Sequence, residues 1–401
     1  MNSQKHNISR RNFLKTATAA GAASIMGAFG NPAMASQPSV VVPTRPFGKT
    51  GIRVPVLSFG GSLDASLNML VLRQAVKWGV TYWDTAHGYM GGRSEKAMGK
   101  YLKKYPEDRK KIFLVTKSHA WTLRGMSNDL DTSLKRLKTD YIDLYFKHSV
   151  RRPGELDGDI RSWAEKKKSE GKIRLFGFST HSNMEECMLA AARLGWIDGI
   201  MMTYNFRLMQ EDEMRRAVDA CTRAGIGLTA MKTQGGGQVR TDTETELKLA
   251  GRFLEKGFTH YQARLKAVWE NQRIASICSE MPNMTILMSN VAAANDKIRL
   301  SASDQKLLQQ YAHLSRPDYC KGCINNCEPM VDSGIPIGDI MRYLMYARSY
   351  GDRHRGRKKF QNIPQEIRRK MEITDYGRAE RKCPQKMAIG ALMREALDEL
   401  G

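Results

Sequence analysis

The sequence contains no run of about 20 consecutive apolar residues, the length that an α-helix needs to cross a bilayer. We therefore expect no integral membrane span. The chain is also poor in acidic residues: 41 Asp and Glu stand against 64 Lys and Arg, and the net charge is +23. This excess permits an acidic partner, an anionic membrane surface or nucleic acid. The apolar fraction of 41% is ordinary for a globular protein and argues against disorder.

Cysteine is scarce and unevenly placed. The chain has seven cysteines in 401 residues, and the last four follow one another only after residue 319. An odd number gathered at one end does not match the disulfide framework of a small secreted domain. The pattern predicts that these thiols have another role.

The first 35 residues are predicted to be a leader. Ser9–Lys15 matches the twin-arginine export pattern, and a weakly apolar stretch follows over Thr16–Phe29. Ala33–Ala35 is a small-x-small cleavage site, so Ser36 begins the expected mature protein. This signal resembles those of a route that exports folded proteins, often with their cofactor already bound. We expect a periplasmic location.

From about Thr44 to Arg316, β-branched runs alternate with amphipathic stretches. Eight such units in roughly 270 residues predict an α/β fold, a (β/α)8 TIM barrel. An open doubly wound sheet is the alternative, but Phe59–Ser62 does not fit its G-x-G-x-x-G loop. The predicted strands are Val56–Phe59, Thr81–Ala86, Ile112–Lys117, Ile142–His148, Ile173–Thr180, Gly199–Asn205, Gly225–Lys232 and Met284–Ser289.

Four polar residues follow the predicted strands at the end where TIM barrels carry their active sites. They are Asp84, Tyr89, Lys117 and His148. A phenol is a poor acid at neutral pH, but a nearby ammonium would lower its pKa. We expect Lys117 to act in this way on Tyr89, with Asp84 holding Lys117 and His148 orienting a carbonyl oxygen. Tyr89 would then serve as a general acid or base.

The chain resembles the aldo/keto reductase family in five segments. They are Arg45–Gly61, Asp84–Glu95, Val115–Lys117, Ser133–His148 and Gly171–Ser179. The resemblance implies reduction of a carbonyl, or oxidation of an alcohol, with NADPH. It also implies that Asp84, Tyr89, Lys117 and His148 form the catalytic tetrad.

The half of the barrel that would hold the cofactor departs from the family pattern. The resemblance assigns cofactor contacts to Ser179, Thr180, Met201 and Met231, where the family has Ser-Asn, Gln and a stacking aromatic residue. Residues 286–297 lack a clear basic cluster for a 2′-phosphate. Two interpretations stay open: a divergent NADP(H) site, or a barrel that binds NADPH weakly or not at all and serves as an electron-transfer or binding module.

Residues 316–401 form a predicted tail behind the barrel. The spacing Cys320-x2-Cys323-x3-Cys327, followed by Cys383-Pro384, resembles a bacterial ferredoxin module that has lost one of its two clusters. Since the last Cys of each run crosses over to the other cluster, these four cysteines make a complete set for one 4Fe–4S cluster. A structural zinc site uses the same ligands and is the main alternative. Two disulfides are a third.

The tail is expected to be mainly α-helical and ferredoxin-like, with helices at Ile337–Tyr350 and Met387–Leu400. Between them, the basic run Arg353–Lys359 is expected in a loop that could dock an acidic redox partner. No nucleic-acid-reading motif accompanies it. Cys187, Cys221 and Cys278 fall in helical patterns and are expected to be buried structural thiols.

The sequence thus predicts an exported oxidoreductase. Its parts are a leader (1–35), a linker (36–43), a barrel (44–315) and an iron–sulfur tail (316–401). The expected substrate is a small carbonyl compound or alcohol.

Overall fold

The computed structural model describes residues 41–62, 68–236, 257, 259–331 and 334–401. The predicted leader and most of the linker lie outside these residues. Val40–Gly401 form one compact unit that holds the barrel and the tail together. In the described part of the chain, no helix is both long and apolar enough to cross a membrane.

Eight parallel strands close into a barrel, which confirms the predicted fold. A short antiparallel hairpin, β1 (Thr44–Pro46) and β2 (Arg53–Pro55), precedes it. The barrel strands are β3 (Leu57–Gly60), β4 (Tyr82–Asp84), β5 (Phe113–Ser118), β6 (Ile142–Lys147), β7 (Ile173–Thr180), β8 (Gly199–Thr203), β9 (Gly227–Met231) and β10 (Ser276–Glu280). β10 pairs with β3 on one side and β9 on the other, and this closes the ring.

The hairpin closes the bottom of the barrel. Phe47, in its turn, is fully buried among interior side chains of the strands. A Cβ atom at Gly227 would lie 2.5 Å from the Phe47 ring, so the glycine at the start of β9 leaves room for it. The open end of the barrel is therefore the opposite one, where the strands end.

Helices surround the barrel, and most of them bury an apolar face against the strands. They are α1 (Met69–Lys77), α2 (Arg93–Lys104), α3 (Leu123–Leu137), α4 (Gly158–Ser169), α5 (Met184–Leu194), α6 (Asp212–Arg223), α7 (His260–Trp269), α8 (Met284–Asn295) and α9 (Ala302–Leu314). The last of them, α9, instead packs its buried residues on α7 and the segment after β8. Short 3-10 turns lie at Tyr89–Gly92, Pro106–Lys111, Pro153–Leu156, Leu208–Gln210, Arg316–Asp318 and Glu328–Met330.

The eighth strand was predicted in the wrong place. Met284–Ser289 lies in α8, which begins after Asn283, and the Asn283 side chain accepts a hydrogen bond from the Ile286 amide at 3.0 Å. A short apolar run does not distinguish a strand from a buried helix. The true strand is the more polar Ser276–Glu280. Cys278 therefore lies on β10 and not in a helix.

The described residues of the tail contain helices and no strand. They are α10 (Ile324–Cys327), α11 (Ile337–Arg348), α12 (Arg353–Gln361), α13 (Gln365–Ile373), α14 (Gly377–Lys382) and α15 (Ile389–Leu400). These helices share a hydrophobic core of their own. The predicted helices at 337–350 and 387–400 correspond to α11 and α15.

The basic run 353–359 was expected in a loop, but it forms α12. Asp352 caps this helix by accepting a hydrogen bond from the Arg355 amide at 3.0 Å. From α12, Arg355 reaches the end of β10, where its guanidinium lies 3.0 Å from the Glu280 carboxylate. The tail therefore extends over the open end of the barrel.

Candidate active site

The four residues predicted to act together meet at the open end of the barrel. The Lys117 Nζ lies 2.6 Å from the Asp84 carboxylate and also donates to the Thr85 carbonyl at 2.8 Å. The Tyr89 hydroxyl is 3.5 Å from the same nitrogen. β4 and β5 are parallel neighbours with Asp84 opposite Val115, so Lys117, two residues further along β5, reaches the same end of the barrel as Asp84.

The electrostatics of Tyr89 differ from the sequence-based expectation. Burial raises its pKa well above the usual value, and the nearby carboxylate of Asp84 raises it further. Lys117 does not reverse this, because its charge is neutralised by Asp84 at 2.6 Å. The phenol is thus held in its protonated form, which suits a proton donor.

His148 follows β6 and faces the same group. Its ring lies 5.5 Å from the Tyr89 ring and stacks on His119 at 3.8 Å. Burial lowers the pKa of His148 well below its ordinary value, and His119 and Lys117 lower it further. Its buried Nδ1 has no hydrogen-bond partner among the described residues. A neutral imidazole in this position can orient a polar group of a ligand.

A cavity of about 610 Å³ lies above these residues. Asp84, Tyr89 and His148 line its floor. The tail supplies much of the remaining wall, including Tyr346 from α11 and Arg355 from α12.

Of the four residues expected to contact a cofactor, two line the cavity and two do not. Met201 and Met231 line the cavity. Ser179 and Thr180 do not: the Ser179 hydroxyl accepts from the Ser149 amide at 3.1 Å, and the Thr180 hydroxyl donates to the Ser182 carbonyl at 2.9 Å. Both hydroxyls are therefore engaged within the protein.

Sequence reasoning missed the cavity residues that come from distant segments. Cys278 lines the cavity from β10, and Tyr346 and Arg355 come from the tail, more than 200 residues after Tyr89. Burial raises the pKa of Tyr346, but three cations, Lys232 first among them, lower it to about 8. No motif marks these residues, because only the packing of the tail brings them to the barrel.

The four tail cysteines line one small cavity. Cys320, Cys323, Cys327 and Cys383 are free thiols that face it together with apolar side chains. Burial raises the pKa of Cys320 to about 12 and that of Cys323 to about 11. In the described residues, no group of three or more His, Cys, Asp or Glu is arranged to hold a metal ion.

The remaining cysteines are separate from this group. Cys187 and Cys221 are buried in α5 and α6, as expected for structural thiols. Cys278 is half-buried at the active-site cavity. Burial raises its pKa well above the usual value, so it is held as a thiol.

Comparisons with known proteins agree with this architecture. L-galactose dehydrogenase of Arabidopsis thaliana is 24% identical over 303 residues, 68% of this chain and 94% of that protein. D-threo-aldose 1-dehydrogenase of a Pseudomonas species is 26% identical over 271 residues, 57% of this chain and 78% of that one. An aldo-keto reductase from Klebsiella pneumoniae, solved in complex with NADPH, superposes with a TM-score of 0.56 at 25% identity and covers 68% of this chain and 95% of its own.

Two family models match the chain. Residues 7–27 match a twin-arginine translocation signal sequence, which confirms the export signal read from the sequence. Residues 57–301, more than half of the chain, match the aldo/keto reductase family. The chain therefore belongs to the aldo/keto reductase family of oxidoreductases.

Proposed function

We propose that this protein reduces the carbonyl group of a small molecule, or oxidises the corresponding alcohol, in the periplasm. One observation carries the proposal: the Tyr89 hydroxyl lies 3.5 Å from Lys117 in a cavity that also contains His148. The names of two similar proteins refer to galactose and to an aldose. We therefore take a polyhydroxy aldehyde, in its open or cyclic form, as the substrate class.

Each residue of the tetrad has a defined task. Tyr89 donates its proton to the carbonyl oxygen, or accepts it back in the alcohol direction. His148, as a neutral imidazole, orients that oxygen. Lys117 keeps the phenol in place, and Asp84 balances the lysine charge inside the barrel. The tail restricts the access of water to the cavity, which strengthens these interactions.

NADP(H) fits the cavity in part. Its role, when bound, is to supply or accept the hydride. The thioethers of Met201 and Met231 line the cavity and can pack on a planar ring, although without the π-stacking of an aromatic residue. The hydroxyls of Ser179 and Thr180 would have to give up their present hydrogen bonds to reach it.

Replacing Tyr89 tests the proposal. Tyr89→Phe removes the transferable proton and should lower the rate by at least ~10², since a positioned general acid contributes that much or more. The assay is L-galactose oxidation with NADP⁺, and a second assay, reduction of the unrelated small carbonyl methylglyoxal with NADPH, tests the reductive direction. Tyr105→Phe is the control, because Tyr105 packs on Tyr101 outside the cavity. Equal rates for the two variants would contradict the role of Tyr89.

We also propose that the tail binds a 4Fe–4S cluster through Cys320, Cys323, Cys327 and Cys383. Four thiols around one apolar cavity are the donor set of such a cluster. A structural zinc ion would use the same four thiolates, so the donor set by itself leaves zinc as the alternative. When bound, the cluster accepts or donates one electron.

Metal analysis decides between the two. After anaerobic purification we expect about four Fe and four sulfide per chain, where a zinc site would contain one Zn. Cys383→Ser should lose the iron. Cys221→Ser is the matched control, since Cys221 is also a buried free thiol but lies in α6. Full iron content in the Cys383→Ser variant would show that Cys383 is not a ligand of the cluster.

A second candidate function is electron transfer by the cluster alone, with a barrel that binds NADPH weakly or not at all. It is favoured by the Ser179 and Thr180 hydroxyls, which are engaged within the protein and do not line the cavity. An acidic redox protein would then be the partner of this basic chain. Titration with NADPH, monitored through NADPH fluorescence, separates the two candidate functions. Binding in the micromolar range would reject electron transfer by the cluster alone.

A further inference from the structure

Each of the five carboxylates that line the cavity in the described part of the chain contacts a cation or accepts a hydrogen bond from the backbone. Asp84 pairs with Lys117, and Glu280 lies 3.0 Å from Arg355. Asp339 accepts from Arg342 at 2.6 Å. The two others, Glu155 and Asp352, accept hydrogen bonds from backbone amides. Three of the five carboxylates are therefore already paired with a cation, and the other two are held by backbone amides and not by a lysine of the wall.

Three lysines line the same cavity, and none makes an ion pair with the described residues. They are Lys147, Lys232 and Lys359, from β6, the end of β9 and α12. Lys147 is only 6% exposed, and its ammonium lies 5.7 Å from the Trp121 ring. The Lys232 ammonium lies 4.7 Å from the Tyr346 ring.

The neighbours of Lys232 and Lys359 add positive charge. Burial lowers the pKa of Lys359; Tyr346 opposes this, and Arg342, Arg355 and Lys232 lower it further. The imidazole of His181 shares the wall and is held neutral: burial lowers its pKa well below the ordinary value, and Arg342, Lys232, Lys359 and Lys117 lower it further. Uncompensated cations around a cavity attract an anion, because each charge-assisted hydrogen bond that forms there is stronger than a neutral one.

The backbone at Lys232 adds an independent observation. Its φ is +56°, in the left-handed region that non-glycine residues rarely adopt. This conformation, directly after β9, lets the chain turn while the lysine remains on the cavity wall. Backbone strain of this kind is common where a side chain must be held at a binding site.

We propose that the cavity binds a substrate that carries an anionic group, a carboxylate or a phosphate, in addition to its carbonyl or alcohol. Lys232 and Lys359 hold the anionic group, and Lys147 adds positive charge beside His148. The substrate is then a sugar acid or a sugar phosphate and not a neutral sugar. This inference rests on the proposed function, because it assigns a substrate class to that same site.

Matched sugars test the inference. The full-length protein is assayed with galactose, galacturonate and galactose 6-phosphate, which differ in the group at C6. We expect kcat/KM to be at least tenfold higher for one of the anions than for galactose. The ratio of kcat/KM for that anion to kcat/KM for galactose should fall about tenfold or more in Lys232→Gln and Lys359→Gln, mainly through a higher KM for the anion. Lys103→Gln, on the exposed face of α2, is the control for the loss of one positive charge and should keep the ratio.

Binding is measured beside turnover, by thermal shift and calorimetry with the same three sugars. If no sugar is turned over but an anionic one binds and the lysine variants lose it, the inference stands and the proposed function fails. If galactose is turned over as well as both anions, the inference is wrong and the proposed function stands. If the variants lose NADPH affinity while the ratio is unchanged, the lysines hold the cofactor's phosphates, and the inference is also wrong.

Discussion

Lys117 is the residue on which the active-site charge balance depends. Its ammonium is fully buried and has the Asp84 carboxylate as its only close anionic contact among the described residues. Burial raises the pKa of Asp84, and Lys117 partly offsets the rise. The pair therefore stabilises the ionised form of a carboxylate that would otherwise be protonated inside the barrel.

Removing the lysine should destabilise the protein strongly. Lys117→Met leaves a buried carboxylate without its partner, and we expect the free energy of unfolding to fall by roughly 3–5 kcal/mol. Lys111→Met is the matched control: Lys111 contacts Asp108 at 2.9 Å but is 60% exposed, so its loss should cost far less than that of Lys117. Urea unfolding of both variants measures the difference, and equal losses would contradict the buried pair's role.

The same variant has a predicted pH dependence. Without Lys117, only burial and the remaining neighbours act on Asp84, so its pKa rises further above the unfolded value near 3.8. The native chain then binds more protons than the unfolded chain, and the free energy of unfolding falls as pH rises. The deficit of Lys117→Met relative to the wild type should be larger at pH 8 than at pH 5. A deficit that does not change with pH would show that Asp84 stays ionised.

At the scale of elements, the turn between Cys320 and Cys323 connects the tail to the barrel. The Asn183 amide, just before α5, donates to the Gly322 carbonyl at 2.8 Å. The Asn183 and Asn325 side chains are hydrogen-bonded at 3.0 Å. Gly322 has a φ of +81°, and a Cβ atom there would lie 2.2 Å from the His181 carbonyl oxygen.

Gly322→Ala should therefore separate this turn from the barrel. Overpacking against a backbone atom costs about 1–3 kcal/mol beyond the left-handed φ itself. Gly334→Ala is the control, because Gly334 also has a positive φ, +67°, but its Cβ would meet nothing closer than 3.9 Å. Unfolding measurements should give the larger loss for Gly322→Ala, and a loss no larger than that of the control would mean that the turn moves freely.

At the scale of the whole molecule, the barrel and the tail should unfold together. Several contacts join them, including Arg151 with Glu328 at 3.0 Å and Asn205 with Tyr319 at 2.9 Å. All six tryptophans lie before residue 316, so tryptophan fluorescence reports on the barrel alone. Hydrogen exchange of the tail amides in denaturant should give the same midpoint as this fluorescence. Loss of tail protection at lower denaturant would instead support a separate domain that begins near residue 316.

The sequence by itself was sufficient for the family, the export signal and the barrel, and it singled out four residues whose side chains meet at the open end of the barrel. Strand-end motifs such as Asp84–Tyr89 are local, and parallel strands bring their ends to one edge whatever the details of packing. The sequence also indicated α11 and α15 to within a few residues. It failed at β10, where a polar strand precedes an apolar helix, because a short run has no clear period.

Only the tertiary structure decided how the tail relates to the active site. Tyr346, Arg355 and Lys359 reach the cavity because α11 and α12 pack across the barrel opening, a contact between segments far apart in the chain. The tertiary structure also decides whether the Tyr89 pKa is raised or lowered. Burial and the Asp84 carboxylate raise it, and the Lys117 ammonium, paired with Asp84, does not reverse the rise. Residue types and spacing specify which groups are present, but burial and pairing set their charge, and both arise only when the chain has folded.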